Sequence, residues 1–147
     1  MRAGRLAATC LALLGPVPGP LEVSVPCAPR LAAALAARAA RARAGEEPAG
    51  AVVAFLGMAA RPAERQATLR ALRRRMPAGA PLVLLDHNRP RRWWRRGMAF
   101  LALAAAGLRP ARARYPVARE LAALGFAVER LRLACGERVQ LVVARCR

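Results

Sequence analysis

Two apolar runs dominate the chain, AVVAFLGMA (51–59) and LVLLD (82–86), the second closed by Asp86. Turn formers bound both, and a run without alternation fits a strand covered on both faces, as in a parallel sheet. Between them, PAERQATLRALRRRM (62–76) predicts a helix. Pro62 opens it where a missing N–H costs nothing, Leu69, Leu72 and Met76 form its apolar stripe, and Arg73 to Arg75 fill the last turn, where the helix dipole favours cations. PAGAP (77–81) ends it.

Upstream, GPVPGP (15–20) continues neither helix nor strand. LEVSV (21–25) alternates as a short strand, and APRLAAALAARAARARA (28–44) predicts a helix with Leu31 and Leu35 one turn apart. Downstream come an alanine-rich helix at about 92–107 and a basic connector, RPARARYP (109–116). GMAFLALAAAGL (97–108) is too short to span a bilayer and reads as a core helix. VARELAAL (117–124) is a helix closed by Gly125. FAVERLRL (126–133) and RVQLVVA (138–144) form a hairpin about the turn at Cys135-Gly136.

Strand and helix alternate, then a hairpin closes the chain. That order predicts an α/β, three-layer, Rossmann-like sheet, mostly parallel with a C-terminal antiparallel hairpin. The 147 residues suit a single domain, with residues 1–50 as a divergent N-terminal part. MRAGRLAATCLALLG has the arginines and short apolar run of a signal peptide, but no small-x-small site stands close behind, so a cytoplasmic chain is expected.

Charge adds one question. All 26 basic residues are arginine, against 8 acidic residues, for a net charge of +18. Such a field attracts any anion, whether nucleic acid, lipid head group or acidic partner. An alanine- and arginine-rich chain without lysine is also what a GC-rich coding sequence produces, so charge by itself names no partner. Cys10, Cys27, Cys135 and Cys146 form no C-x-x-C pair, and with His87 the sole histidine no metal site is expected.

The chemistry gathers in LVLLDHNRPRRWWRR (82–96), where a buried strand ends on Asp-His-Asn and runs into arginine and tryptophan. Ligands of open parallel sheets collect at the carboxyl ends of the strands. Asp86 and His87 are therefore the candidate catalytic pair, His87 as proton acceptor and Asp86 as its orienter. A direct dyad requires the strand to have ended, because neighbours on a strand face opposite ways. Asn88, Arg89, Trp93 and Trp94 are candidate contacts to substrate or to a surface. The Arg/Trp patch admits three readings: a solvated lip of the cleft, a peripheral membrane contact with tryptophans at head-group level, or a nucleic-acid clamp with arginines on phosphates. No G-x-S-x-G, phosphate-binding loop, metal cluster or pair of carboxylates in an acid/base arrangement is present, so hydrolase, kinase and metalloenzyme readings lack their parts.

From residue 51 onward the chain resembles the C-terminal half of a class I S-adenosylmethionine-dependent methyltransferase. AVVAFLGMA resembles the fourth strand of that family, LRALRRRMPAGAPLVLLDHNRP its helix, turn and fifth strand, VARELAALGFAVERLRLA its late helix and sixth strand, and GERVQLVVARC the reversed seventh strand. The resemblance implies methyl transfer from S-adenosylmethionine to a small or lipid-like acceptor. It implies that Gly57 and Met58 border the donor and that residues 86–88 face the acceptor. The first third departs from the family pattern. A glycine-rich loop should follow the first strand and an acid should end the second. Here the glycine cluster is LLGPVPGPLEV, interrupted by prolines, and Glu22 lies inside its strand.

Overall fold

The computed structural model describes residues 3–40, 42–43, 46–56, 61–107 and 117–147. The elements run α1 (Ala3–Leu14), β1 (Leu21–Ser24), α2 (Pro29–Ala36), β2 (Gly50–Ala54), α3 (Pro62–Arg75), β3 (Pro81–His87), α4 (Trp93–Ala105), α5 (Val117–Ala123), β4 (Phe126–Ala134) and β5 (Val139–Cys146).

The five strands form one sheet in the order β1-β2-β3-β5-β4. β1, β2 and β3 are parallel, with Ser24 beside Val53 and Ala54 beside Leu85. β5 runs antiparallel to both β3 and β4 and places Val139 beside His87. β2 and β3 thus lie side by side and point the same way, and β2 is shorter than the strand expected over 51–59, because the chain leaves the strand at Phe55. β2 is buried along its whole length.

Alternation across the strands divides the core into two. Val52, Ala54, Val83 and Leu85 face one side, where α1 and α2 contribute Leu6, Cys10, Leu14, Leu31 and Leu35. Ala51, Val53, Leu82 and Leu84 face the other, against Leu69 and Leu72 of α3 and Leu121 of α5. The result is the expected three-layer α/β architecture. The apolar run near the N-terminus is a helix packed into this core, with Cys10 fully buried.

Local chemistry explains most boundaries. α3 begins at Pro62, with the Glu64 carboxylate accepting the Arg61 backbone N–H at 2.8 Å. Gly125 ends α5 with a φ of 85°, a left-handed cap that an L side chain resists, and an added Cβ would lie 2.8 Å from Arg73 Nε.

Two expectations are corrected. The helix expected over 28–44 stops at Ala36, because the chain turns back to the edge of β1: Leu21 N–H donates to Ala40 O and Ala42 N–H to Leu21 O. Those backbone groups satisfy the sheet edge at the cost of the last helical turns. The segment 97–108 is not a core helix. Within α4 only Ala99 is buried, while Met98, Phe100 and Leu101 are exposed. Apolar composition cannot show whether a second element covers a helix, and here none does among the described residues.

Candidate functional site

The parallel register brings the ends of β1, β2 and β3 to one edge of the sheet. Three segments meet there: the turn after Ser24, Phe55 after β2, and Asp86-His87-Asn88 at the end of β3. Phe55 is a non-glycine residue at φ 58°, held there by its N–H bond to Leu85 O at 2.8 Å. Such a conformation costs free energy and persists where the surroundings enforce it. Its ring lies 4.6 Å from the His87 ring, centroid to centroid, tilted by 30°. Phe55 packs on the α1/α2 side of the sheet, together with Val25 and Ala28 from the turn after β1. An aromatic wall therefore borders the mouth between β1 and β2.

Asp86 and His87 do not share a face. Leu82 and Leu84 place the even positions of β3 on the α3/α5 side, and Val83 and Leu85 place the odd positions on the α1/α2 side. Asp86 is buried, and its Oδ1 accepts the backbone N–H of His87 at 2.8 Å. The carboxylate thus fixes the peptide at the strand end. Burial lowers the His87 pKa below its ordinary 6.5, so the imidazole is neutral at pH 7 and able to accept a proton.

Asn88 is tied to the β4–β5 turn: its Nδ2 donates to Glu137 O at 2.9 Å and its backbone N–H to Arg138 O at 2.8 Å. Glu137 Oε2 also accepts the Arg91 N–H at 3.0 Å, so residues 88–91 are strapped to the turn 135–138. Arg89, Trp93 and Trp94 are exposed beyond that strap. Gly57 and Met58 lie outside the described residues.

The sequence reading missed a buried ion pair on the opposite face. Arg65 Nε and Glu120 Oε2 stand 3.5 Å apart between α3 and α5. Both are buried, and burial raises the Glu120 pKa while Arg65 opposes the rise. The pair walls a groove of about 620 Å³ that Arg70 and Arg119 also line. The hint in the sequence was that Arg65 stands four residues before Leu69, on the line of the apolar stripe of α3, but charge at a core-facing helical position does not announce its partner.

No group of three or more metal-ligating side chains occurs among the described residues, and none of their helices is long and apolar enough to cross a membrane.

Comparison with solved structures decides the fold. The mitomycin 7-O-methyltransferase MmcR superposes with a TM-score of 0.61 at 17% identity, over 99% of this chain and 53% of that one. The complex of LepI with SAM gives 0.58 at 16%, over 99% of this chain and 41% of that one. The N-methyltransferase NodS from Bradyrhizobium japonicum WM9 gives 0.58 at 12%, over 97% and 94%.

The fold is the one that MmcR and NodS share.

The chain spans about half the length of MmcR and less of LepI. No family model matches the sequence, and no curated protein does.

SAM is the ligand of the LepI complex, and the sequence resemblance implies such a donor at the edge beside β1. A donor cradle needs free backbone amides after the first strand and a carboxylate for the ribose. Pro26 and Pro29 remove two amides from that turn, and no side chain caps the start of α2. Glu22 is directed to α3, where its Oε2 pairs with Arg75 at 3.1 Å. Where the chain returns past β1, the Glu46 carboxylate is bonded to the Arg43 N–H at 2.8 Å. The described residues do not form the cradle that the resemblance implies.

Proposed function

We propose that the chain is a degenerate relative of the S-adenosylmethionine-dependent methyltransferases, one that keeps the acceptor side of the cleft and has lost most of its grip on the donor. The observation that carries this reading is the rim itself. Phe55, in a strained conformation, stacks on a neutral His87 at the aligned ends of β2 and β3, while the turn after β1 has exchanged amide donors for prolines. The ligand is a small or lipid-like molecule with an apolar body for the Phe55 wall and an oxygen or nitrogen for His87. His87 accepts a proton from that atom, and Asp86 holds the His87 peptide in place. Gly57 and Met58 remain candidates for donor contacts. Methyl transfer needs positioning more than it needs a base, so loss of the cradle weighs more heavily than any change at His87.

The test is titration with S-adenosylmethionine and S-adenosylhomocysteine, read by calorimetry and by the resonances of the one imidazole. Each missing charge-assisted hydrogen bond costs about 1.5–3 kcal/mol. Two of them weaken binding by roughly 10²–10⁴-fold, which takes a donor site of about 1 µM to roughly 0.1–10 mM. Binding at about 10 µM or tighter overturns the degenerate reading in favour of a complete donor site. No heat and no shift of the His87 resonances at about 10 mM overturns the cleft as a donor neighbour altogether.

A further inference from the structure

We propose that α4 docks the protein on a membrane surface that carries anionic phospholipid, with the helix lying in the plane of the interface. The proposal is independent of the reading of the cleft. It rests on how α4 distributes its side chains.

At about 100° per residue, Trp93, Trp94, Met98, Phe100 and Leu101 fall within one arc of about 160°. All five are exposed, Trp93 at 82% and Leu101 at 69%. Ala99, the one buried residue of the helix, projects from the middle of the opposite side. Arg95 and Arg96 border the apolar arc on its two flanks, and Arg89, Arg91 and Arg92 precede the helix. No acidic residue occurs from 87 to 107. Arg95 lies over the Trp94 ring at 5.0 Å, and the Arg96 Nε–H donates to Pro90 O at 2.9 Å, which ties the first turn back to the strap from β3.

An apolar arc with indole rings at one end and arginines along both borders matches the layering of a lipid interface: acyl chains below, head-group phosphates at the edges. Charge complementarity selects this occupant. A second copy of the chain would bring five more arginines against these five on a molecule of net charge +18. Nucleic acid would use the arginines and stack on the tryptophans, but it offers nothing to Met98, Phe100 and Leu101.

The experiment is co-sedimentation of the full chain with phosphatidylcholine vesicles, with and without about one-third phosphatidylglycerol, at low salt and in 0.5 M salt as a rough upper limit. The wild type is expected on the anionic vesicles and not on the neutral ones. The variant Trp93→Ala/Phe100→Ala/Leu101→Ala should lose about 30-fold or more in partition coefficient, with its far-UV spectrum and melting midpoint unchanged because all three side chains are exposed. Arg91→Gln with Arg92→Gln should lose about fivefold per arginine on anionic vesicles. Three results overturn the proposal. One is no wild-type binding to anionic vesicles at low salt. The second is binding that the apolar triple variant retains in full, which makes it a property of net charge. The third is a wild-type dimer that the triple variant dissociates, which assigns the face to a second copy.

Discussion

The Arg65–Glu120 pair offers the sharpest test of how α3 and α5 are held together within one helical layer. Both side chains are only 7% exposed, and Nε and Oε2 are 3.5 Å apart. At an effective dielectric of about 20, their attraction is about 5 kcal/mol. Desolvating two ions costs several kcal/mol each, so the pair roughly breaks even as a unit. Removing one member is another matter, because it leaves a buried charge without the opposite charge beside it. Arg65→Met is therefore expected to cost about 3–5 kcal/mol, and Glu120→Leu a similar amount. The double variant should lie between neutral and about 1–4 kcal/mol more stable than wild type. The assay is urea unfolding followed by circular dichroism at pH 7.

The same variants carry a pH signature of known sign. Burial raises the Glu120 pKa above its ordinary 4.5, so the folded chain binds this proton more tightly than the unfolded chain does. The contribution of the group is fully present below about pH 4.5 and is lost as pH rises through the raised folded value. Wild type should therefore lose ground to the double variant as pH climbs from 4.5, and the difference should level off above the folded pKa. A single-variant cost below about 1 kcal/mol refutes the reasoning. So does a double variant as unstable as the two singles combined, or a pH trend of the opposite sign.

Two further outcomes follow from burial elsewhere. As the sole histidine, His87 can be titrated by proton NMR without assignment, and its midpoint should fall below 6.5 because burial disfavours the imidazolium. Its stability contribution is present above pH 6.5 and is lost as pH falls through the depressed folded value, so wild type should weaken relative to His87→Phe on acidification; a midpoint above 6.5 would place the ring in solvent or beside a carboxylate. Alkylation should separate the four thiols by burial: Cys27 and Cys135 are exposed and should react within minutes at pH 8, whereas buried Cys10, its thiol pushed up to about 12, and buried Cys146 should react only on unfolding, as mass spectrometry of the tryptic peptides would show.

The sequence alone determined the sheet. AVVAF and LVLL are apolar at every position, and a strand covered on both faces uses such a run, so β2 and β3 were expected inside a layered fold with helices on either side. Turn chemistry placed the stops at PAGAP, Gly125 and Cys135-Gly136, since proline and glycine act through local backbone sterics that need no distant contact. His87 at the end of β3 followed from strand direction.

What only the tertiary structure decided concerns who meets whom. Asp86 and His87 are neighbours in the chain but face opposite layers, because β3 continues one residue past Asp86. The helix after β1 ends early because Leu21 needs partners for its edge amide and carbonyl. Arg65 and Glu120, 55 positions apart, meet in the core, and α4 shows its apolar arc to solvent. Periodicity records which side chains avoid water. It does not record whether another element arrives to cover them, since that depends on distant segments whose packing is settled only when the whole chain has folded.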